Sequence, residues 1–394
     1  MSEPIRKPMK NTESYRPKKP EIVNLMDEAQ HSATRQANPE ERVDAMKKII
    51  ENMTFSTGWE YWFFPSCFAS VYMRIEGLTA DRQDIITLFS AVSGISHVQL
   101  DLTNEAHFVP GVGYNETKVI DEYDDYIKFT MSFAGYAYER HERDADKAAV
   151  FAGIKKSIDA GRPVLMNFGA EYSWCVITGY DEQGETLYGL DNAGAGGSYW
   201  KDKPGTYEDD LFATDRWFEH MTEAVIVTGK SSSAATCDDV FRRMINIMEA
   251  MEKLGYVKHS ADYLTDDVNF EGYDDEKFLA LTGRIHTLIA LLIDQRAWMS
   301  VFFANMAKVE TSKDRAQYFT RIAEVYEGSK DVCWIAWNMV GAEGFFRNTP
   351  GMKQEDCAKL LPAPVYRRTI ADILKIVLGN DRIILGCLKK IMEK

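Results

Sequence analysis

The chain has 394 residues, 45% of them hydrophobic, and a formal net charge of −14. That length can bury a core large enough for two domains, and that much negative charge is a poor match for nucleic acid or an anionic membrane surface. The six cysteines, Cys67, Cys175, Cys237, Cys333, Cys357 and Cys387, are scattered with no Cys-x-x-Cys pair, which argues against a zinc site or a disulfide framework.

Residues 1–40 read as a polar arm. Lys18, Lys19 and Pro20 precede a weak helical pattern from Glu21 to Gln30, and nothing in Met1–Pro20 has the apolar stretch of a signal peptide. Pro39-Glu40-Glu41-Arg42 opens a better helix that the pattern carries through Ile50. Ser66 is positioned to cap a helix running from Cys67 to Glu76, with Gly77 to end it. A second helix is expected over Asp81–Val92, with Ile85, Ile86, Leu88 and Phe89 on its apolar side. Tyr126–Tyr136 is rich in aromatics and fits neither period cleanly. Asp144–Ala160 is amphipathic, with Ala149, Ile154 and Ile158 inward and Gly161 closing the helix.

Strands follow over Pro163–Phe168, Trp174–Tyr180, Thr186–Asp191 and Ala224–Thr228. The turn Asp181-Glu182-Gln183-Gly184 suits a hairpin, so these strands are expected to pair antiparallel. Lys230-Ser-Ser-Ser-Ala-Ala has linker composition. Beyond it the period is helical: Cys237–Leu254, Asp274–Lys308, Lys313–Val340 and Pro364–Met392. The expected fold class is α+β, organised as an arm (1–40), a mixed domain of helix plus antiparallel sheet (41–229) and an all-α domain (236–394) of ordinary domain size. No run reaches the apolar length of a membrane helix, so a reducing cytoplasm is the expected location.

Among candidates for chemistry, Cys67 comes first. At the opening of a helix, free backbone N–H groups and the helix dipole favour a thiolate; as a structural residue the same Cys is a small buried apolar side chain. Asn192-Ala-Gly-Ala-Gly-Gly197 looks like a phosphate loop, but Ser198-Tyr-Trp-Lys-Asp-Lys-Pro shows no helix signal after it. Without a helix N-terminus it reads as a rim beside Asp191. Trp334 and Trp337, three apart, share a helix face that core packing explains. Arg284, Arg296 and Arg321 lie in otherwise apolar helices and need partners, with Asp294, Glu324 or a substrate carboxylate as candidates.

Cys67, then Gly161-Arg162-Pro163-Val164 about a hundred residues later, then Val176-Ile177-Thr178-Gly179-Tyr180-Asp181 and Asp191, follow in an order and spacing that resemble the papain-like cysteine peptidase superfamily. The likeness covers about residues 55–228 and is nearest to the bacteriocin leader peptidase and butirosin-type acyltransferase branches. It implies a papain-like domain before the helical one, a bacterial setting in natural-product biosynthesis, Cys67 as nucleophile and Asp191 as the residue that orients the base. The family's His falls at Ser173 or Trp174, neither of which is a base at neutral pH. The family's oxyanion Gln falls in Trp59-Glu60-Tyr61-Trp62, where a glutamate would oppose developing negative charge.

The expectation is therefore a degenerate or non-standard thiol site that binds a small molecule or peptide through Glu60, Glu171, Tyr172, Ser173, Trp174 and Asn192. The alternative is an acyltransferase or an amide or thioester hydrolase, acting through Cys67 with a substitute base: Glu171, or a histidine such as His97, His107 or His286. Cys175, sharing a strand face with Ser173, would bring a second thiol to the cleft if that face meets Cys67. No cofactor and no metal are expected, nor a nucleic-acid or membrane partner, and a homodimer stays open.

Overall fold

The computed structural model describes residues 47–51, 53, 64–79, 82–109, 113–114, 125–168, 174–190, 207–208, 211–232, 234–341 and 352–393. The elements in chain order begin with β1 (Lys47–Ile49), α1 (Phe64–Glu76), α2 (Arg82–Ser93), β2 (Phe108–Val109), β3 (Gly113–Tyr114), α3 (Tyr126–Ala134), β4 (Tyr136–Glu142) and α4 (Lys147–Asp159). Strands β5 (Val164–Asn167), β6 (Trp174–Asp181), β7 (Thr186–Leu190), β8 (Tyr207–Glu208) and β9 (Leu211–Thr214), the short helix α5 (Trp217–His220) and β10 (Glu223–Lys230) complete the sheet region. Helices α6 (Cys237–Leu254), α7 (Tyr256–Thr265), α8 (Asp275–Val309), α9 (Lys313–Val340), α10 (Gln354–Ala358) and α11 (Pro364–Met392) follow. The architecture is thus mixed α and β, an antiparallel sheet followed by a C-terminal helical region.

Among the described residues the main sheet runs β4-β10-β5-β6-β7-β9-β8, with β1 added to β6. Its centre is β6, which pairs with β5 through Trp174–Ile177, with β7 from Val176 to Asp181, and with β1 from Gly179 to Asp181. Alternation divides β5, β6 and β10 between two cores. Leu165, Trp174, Val176, Val225 and Val227 share the face on which α1 packs and join a cluster that continues through the helices to Ile391. Val164, Met166, Cys175, Ile177, Ala224 and Ile226 face the other way, onto Val150, Phe151, Ile154 and Ile158 of α4 and onto Trp217. Sheet and helical region therefore share one apolar core, and Asp44–Lys394 cluster as one compact unit.

Local chemistry explains several boundaries. Thr236 and Asp239 form a reciprocal capping box that starts α6. Asp274 and Ser312 cap α8 and α9 through N–H bonds from Lys277 and Arg315. Pro in the first turn opens α11, and Gly161, at φ +72°, takes the left-handed conformation that ends α4.

Several expectations are corrected. Residues 47–49 are a strand rather than the end of a helix, because Lys47–Ile49 pair with Gly179–Asp181. Ser66 lies inside α1, which is already helical at Phe64; Pro65 fits there because the first turn of a helix does not need its N–H. On α4, Val150 and Phe151 turn inward and Ala149 is exposed. The stretch after Tyr126 resolves into α3, a left-handed Gly135 and β4. Finally, α8 is long and apolar enough to cross a membrane by length and composition, although 67% of its apolar window is buried inside the fold, as for the core helix of a globular protein.

Candidate functional site

The sheet end that the sequence singles out is built from α1, β6 and β7. Helix α1 packs on β5 and β6. Phe64, one turn before Cys67, meets Trp174 edge to face at 5.1 Å and Tyr126 at 5.0 Å, both T-shaped. Such pairs add to the burial of large rings, and here all three side chains are essentially inaccessible. Cys67 is fully buried on the same side of the sheet. The last residue of β7, Leu190, stands opposite Val176, so the chain leaves β7 at the end of the sheet where β6 begins.

The backbone therefore brings the Cys67 helix, the start of β6 and the end of β7 to one region. Glu60, Glu171, Tyr172, Ser173, Asp191 and Asn192 lie outside the described residues. Of the expected site residues, Cys67 and Trp174 are described. Trp174 occupies one of the two positions at which the resemblance puts the base, and an indole nitrogen is a donor with no basic lone pair. Its Nε1 is buried without a hydrogen-bond partner among the described residues.

Cys175 does not join Cys67. It lies on the α4 side of the sheet, and its thiol donates to the Met166 carbonyl oxygen at 3.3 Å. Alternation along β6 separates the two sulfurs by the sheet itself.

Gly179-Tyr180-Asp181, which carries much of the resemblance, has structural work. A Cβ at Gly179 would lie 2.6 Å from the Lys48 carbonyl oxygen, so glycine is what lets β1 pair here. The Tyr180 hydroxyl donates to Asp159 at 2.9 Å, and burial followed by the Asp159 carboxylate pushes its pKa to about 12. The Asp181 carboxylate accepts the Gln183 N–H in the hairpin turn at 2.9 Å.

The histidines raised as substitute bases are engaged elsewhere. His107 Nδ1 accepts the Asp101 N–H at 3.1 Å. His286 stacks on Trp337 with ring centres 4.1 Å apart, and burial lowers its pKa to about 4. His97 meets the Tyr326 hydroxyl through Nε2 at 3.1 Å; burial, then the charges of Arg296 and Arg243, lower its pKa to about 3.

His97 belongs to a polar cluster that sequence reasoning did not assemble. Arg296 is 97% buried by side chain and donates through Nη2 to both Asp381 oxygens, at 2.9 and 3.0 Å. Its partner is Asp381 on α11, not Asp294. Gln99 Nε2 donates to the same carboxylate at 3.3 Å. Burial raises the Asp381 pKa and Arg296 works against that rise. An arginine inside an apolar helical period was the only signal available, and it could not name a partner 85 residues away. Of the other two arginines, Arg284 donates to the Leu102 carbonyl at 3.2 Å, and Arg321 makes an exposed pair with Glu324.

Comparison with family models, with curated proteins and with solved structures finds no match. No cluster of three or more potential metal ligands occurs among the described residues.

Proposed function

We propose that this chain is a papain-like protein whose former catalytic crevice binds a small molecule or peptide without thiol turnover. The observation that carries the reading is Trp174. At the start of β6, at one of the two positions where the resemblance puts an imidazole, an indole packs into a buried aromatic cluster with Phe64 and Tyr126. A thiol nucleophile needs a base or cation beside it and access to its substrate. Cys67 is fully buried, and His97, His107 and His286 are held by other partners. Members of a catalytic triad act as a unit, so losing the base alone costs orders of magnitude in rate.

The competing reading is a Cys67-dependent acyltransferase or an amide or thioester hydrolase. It draws on the position of Cys67 early in α1, a helix that packs on the start of β6. Alkylation of the native protein with iodoacetamide across pH separates the two. The binding reading expects Cys67 to label no faster than a model thiol at any pH. Selective labelling of Cys67 well below pH 8, with turnover of a thioester, would overturn it. Native mass spectrometry of protein purified from its source supplies the positive arm: a small molecule or peptide that co-purifies and is lost on changing Tyr172.

A further inference from the structure

A second site, away from α1 and β6, lies where the turn Ile95–His97 meets α6, α8, α9 and α11. It is a small cavity of about 30 Å³, room for about two waters or the head of one small ligand. Its walls mix apolar side chains such as Met248 and Leu385 with the polar cluster around Arg296. Independent of the reading of the α1 crevice, this cavity has a hydrogen-bonding pattern that selects its occupant.

Most polar atoms in the wall are already paired within the protein. Arg296 is spent on Asp381, on Gln295 Oε1 at 3.1 Å and on Ser329 Oγ at 3.3 Å. Gln295 Nε2 donates to the carbonyls of Ile95 and Val98 at 3.1 and 2.7 Å. At the rim, the exposed Arg382 and Glu252 pair at 2.8 Å. Arg243, the other cation near His97, donates to the Val92 carbonyl and lies over the Phe129 ring. Every charge in the wall has a counter-charge, so a charged guest would either break a pair or stay uncompensated in a low-dielectric site.

Two wall atoms are left over. His97 Nδ1 and Gln99 Oε1 are buried and have no hydrogen-bond partner among the described residues. Both side chains are more than nine-tenths buried and line the cavity. Their polarity follows from their neighbours. Gln99 turns its NH₂ to the Asp381 carboxylate, which leaves its carbonyl oxygen as an acceptor. The Tyr326 hydroxyl makes no other hydrogen bond among the described residues, so we assign its proton to His97 Nε2, which puts the proton of the neutral ring on Nδ1 and makes it a donor. The cavity thus offers one donor and one acceptor, both neutral, on different side chains.

We propose that this cavity binds the uncharged carboxamide head of a small molecule, whose carbonyl oxygen accepts from His97 Nδ1–H and whose NH₂ donates to Gln99 Oε1. A planar carboxamide carries its acceptor oxygen and its donor nitrogen on one carbon, which complements the one donor and one acceptor of the wall. The rim pair Arg382–Glu252 is solvent-exposed, holds weakly and parts to pass the remainder of the ligand.

Saturation-transfer NMR on the full chain tests this with three probes of matched size: propionamide, propionate and propylamine. The expected result is transfer to propionamide alone, reduced at least fivefold by Gln99→Met and by His97→Phe. Circular dichroism checks that the variants fold, and Gln99→Met decides alone if His97→Phe does not. No transfer to propionamide, equal transfer to either charged probe, or transfer undiminished in folded Gln99→Met would overturn the assignment.

Discussion

His97 gives a stability prediction with a worked sign and size. Its folded pKa is lowered from 6.5 to about 3, first by burial and then by Arg296 and Arg243. The unfolded chain therefore binds a proton at this ring across a pH range in which the folded chain does not. The ring's contribution is fully present above pH 6.5 and is lost as pH falls towards 3. At pH 5.0 the loss attributable to this one group is about 2 kcal/mol, taking about 1.4 kcal/mol per pH unit below the unfolded value. The perturbation is His97→Gln, which keeps a polar side chain and removes the titration. The assay is urea unfolding of both proteins at pH 7.5 and 5.0. Carboxylates and His286 titrate alike in both, so their contributions cancel in the difference. The variant should be less stable than the parent at pH 7.5, and the gap should narrow by about 2 kcal/mol at pH 5.0. A gap unchanged between the two pH values would show that His97 is not held neutral by its surroundings.

Three further outcomes are expected. Asp381→Asn leaves the buried Arg296 without its counter-charge and should cost about 3–5 kcal/mol, whereas the double change Arg296→Met with Asp381→Leu should recover most of that loss in the same urea titration. Trp174→Ala should cost about 3–5 kcal/mol by emptying a site packed against Phe64, and an unfolding midpoint unmoved by the change would remove Trp174 from the core. Gly179→Ala drives a Cβ into the Lys48 carbonyl and Ile49. It should cost about 1–3 kcal/mol and speed hydrogen exchange at the Ile50 N–H, which bonds to the Thr178 carbonyl at 2.7 Å. Exchange at Ile50 as slow as in the parent would mean β1 does not depend on that close approach.

Much of the architecture was legible locally. Cys237–Leu254, Lys313–Val340 and Pro364–Met392 are helices at the bounds read from periodicity, because Thr236, Ser312 and Pro364 carry their own start signals within one turn. The apolar runs around Val164, Val176 and Leu187 announce central strands, and the Asp181–Gly184 turn announces their antiparallel pairing. Strands β1 and β4 escaped for the opposite reason. Lys47–Ile49 is mostly polar, and Tyr136–Glu142 ends in Glu-Arg-His-Glu at the edge of the sheet. An edge strand buries little, so the partner's backbone rather than its own apolar pattern keeps it extended.

For the site, the chain alone determined which residue types are present: a cysteine early in a helix, a serine and a tryptophan at the two positions where the resemblance puts an imidazole, arginines inside apolar helices. Tertiary structure decided what each can do. It put Trp174 against Phe64 and turned Cys175 to the far side of the sheet. It also joined Arg296 to Asp381 around a cavity that His97 and Gln99 complete. Periodicity and capping are encoded within a few neighbouring residues, whereas which strand face meets which helix, and which charge neutralises which, depend on contacts between distant segments that no local pattern records.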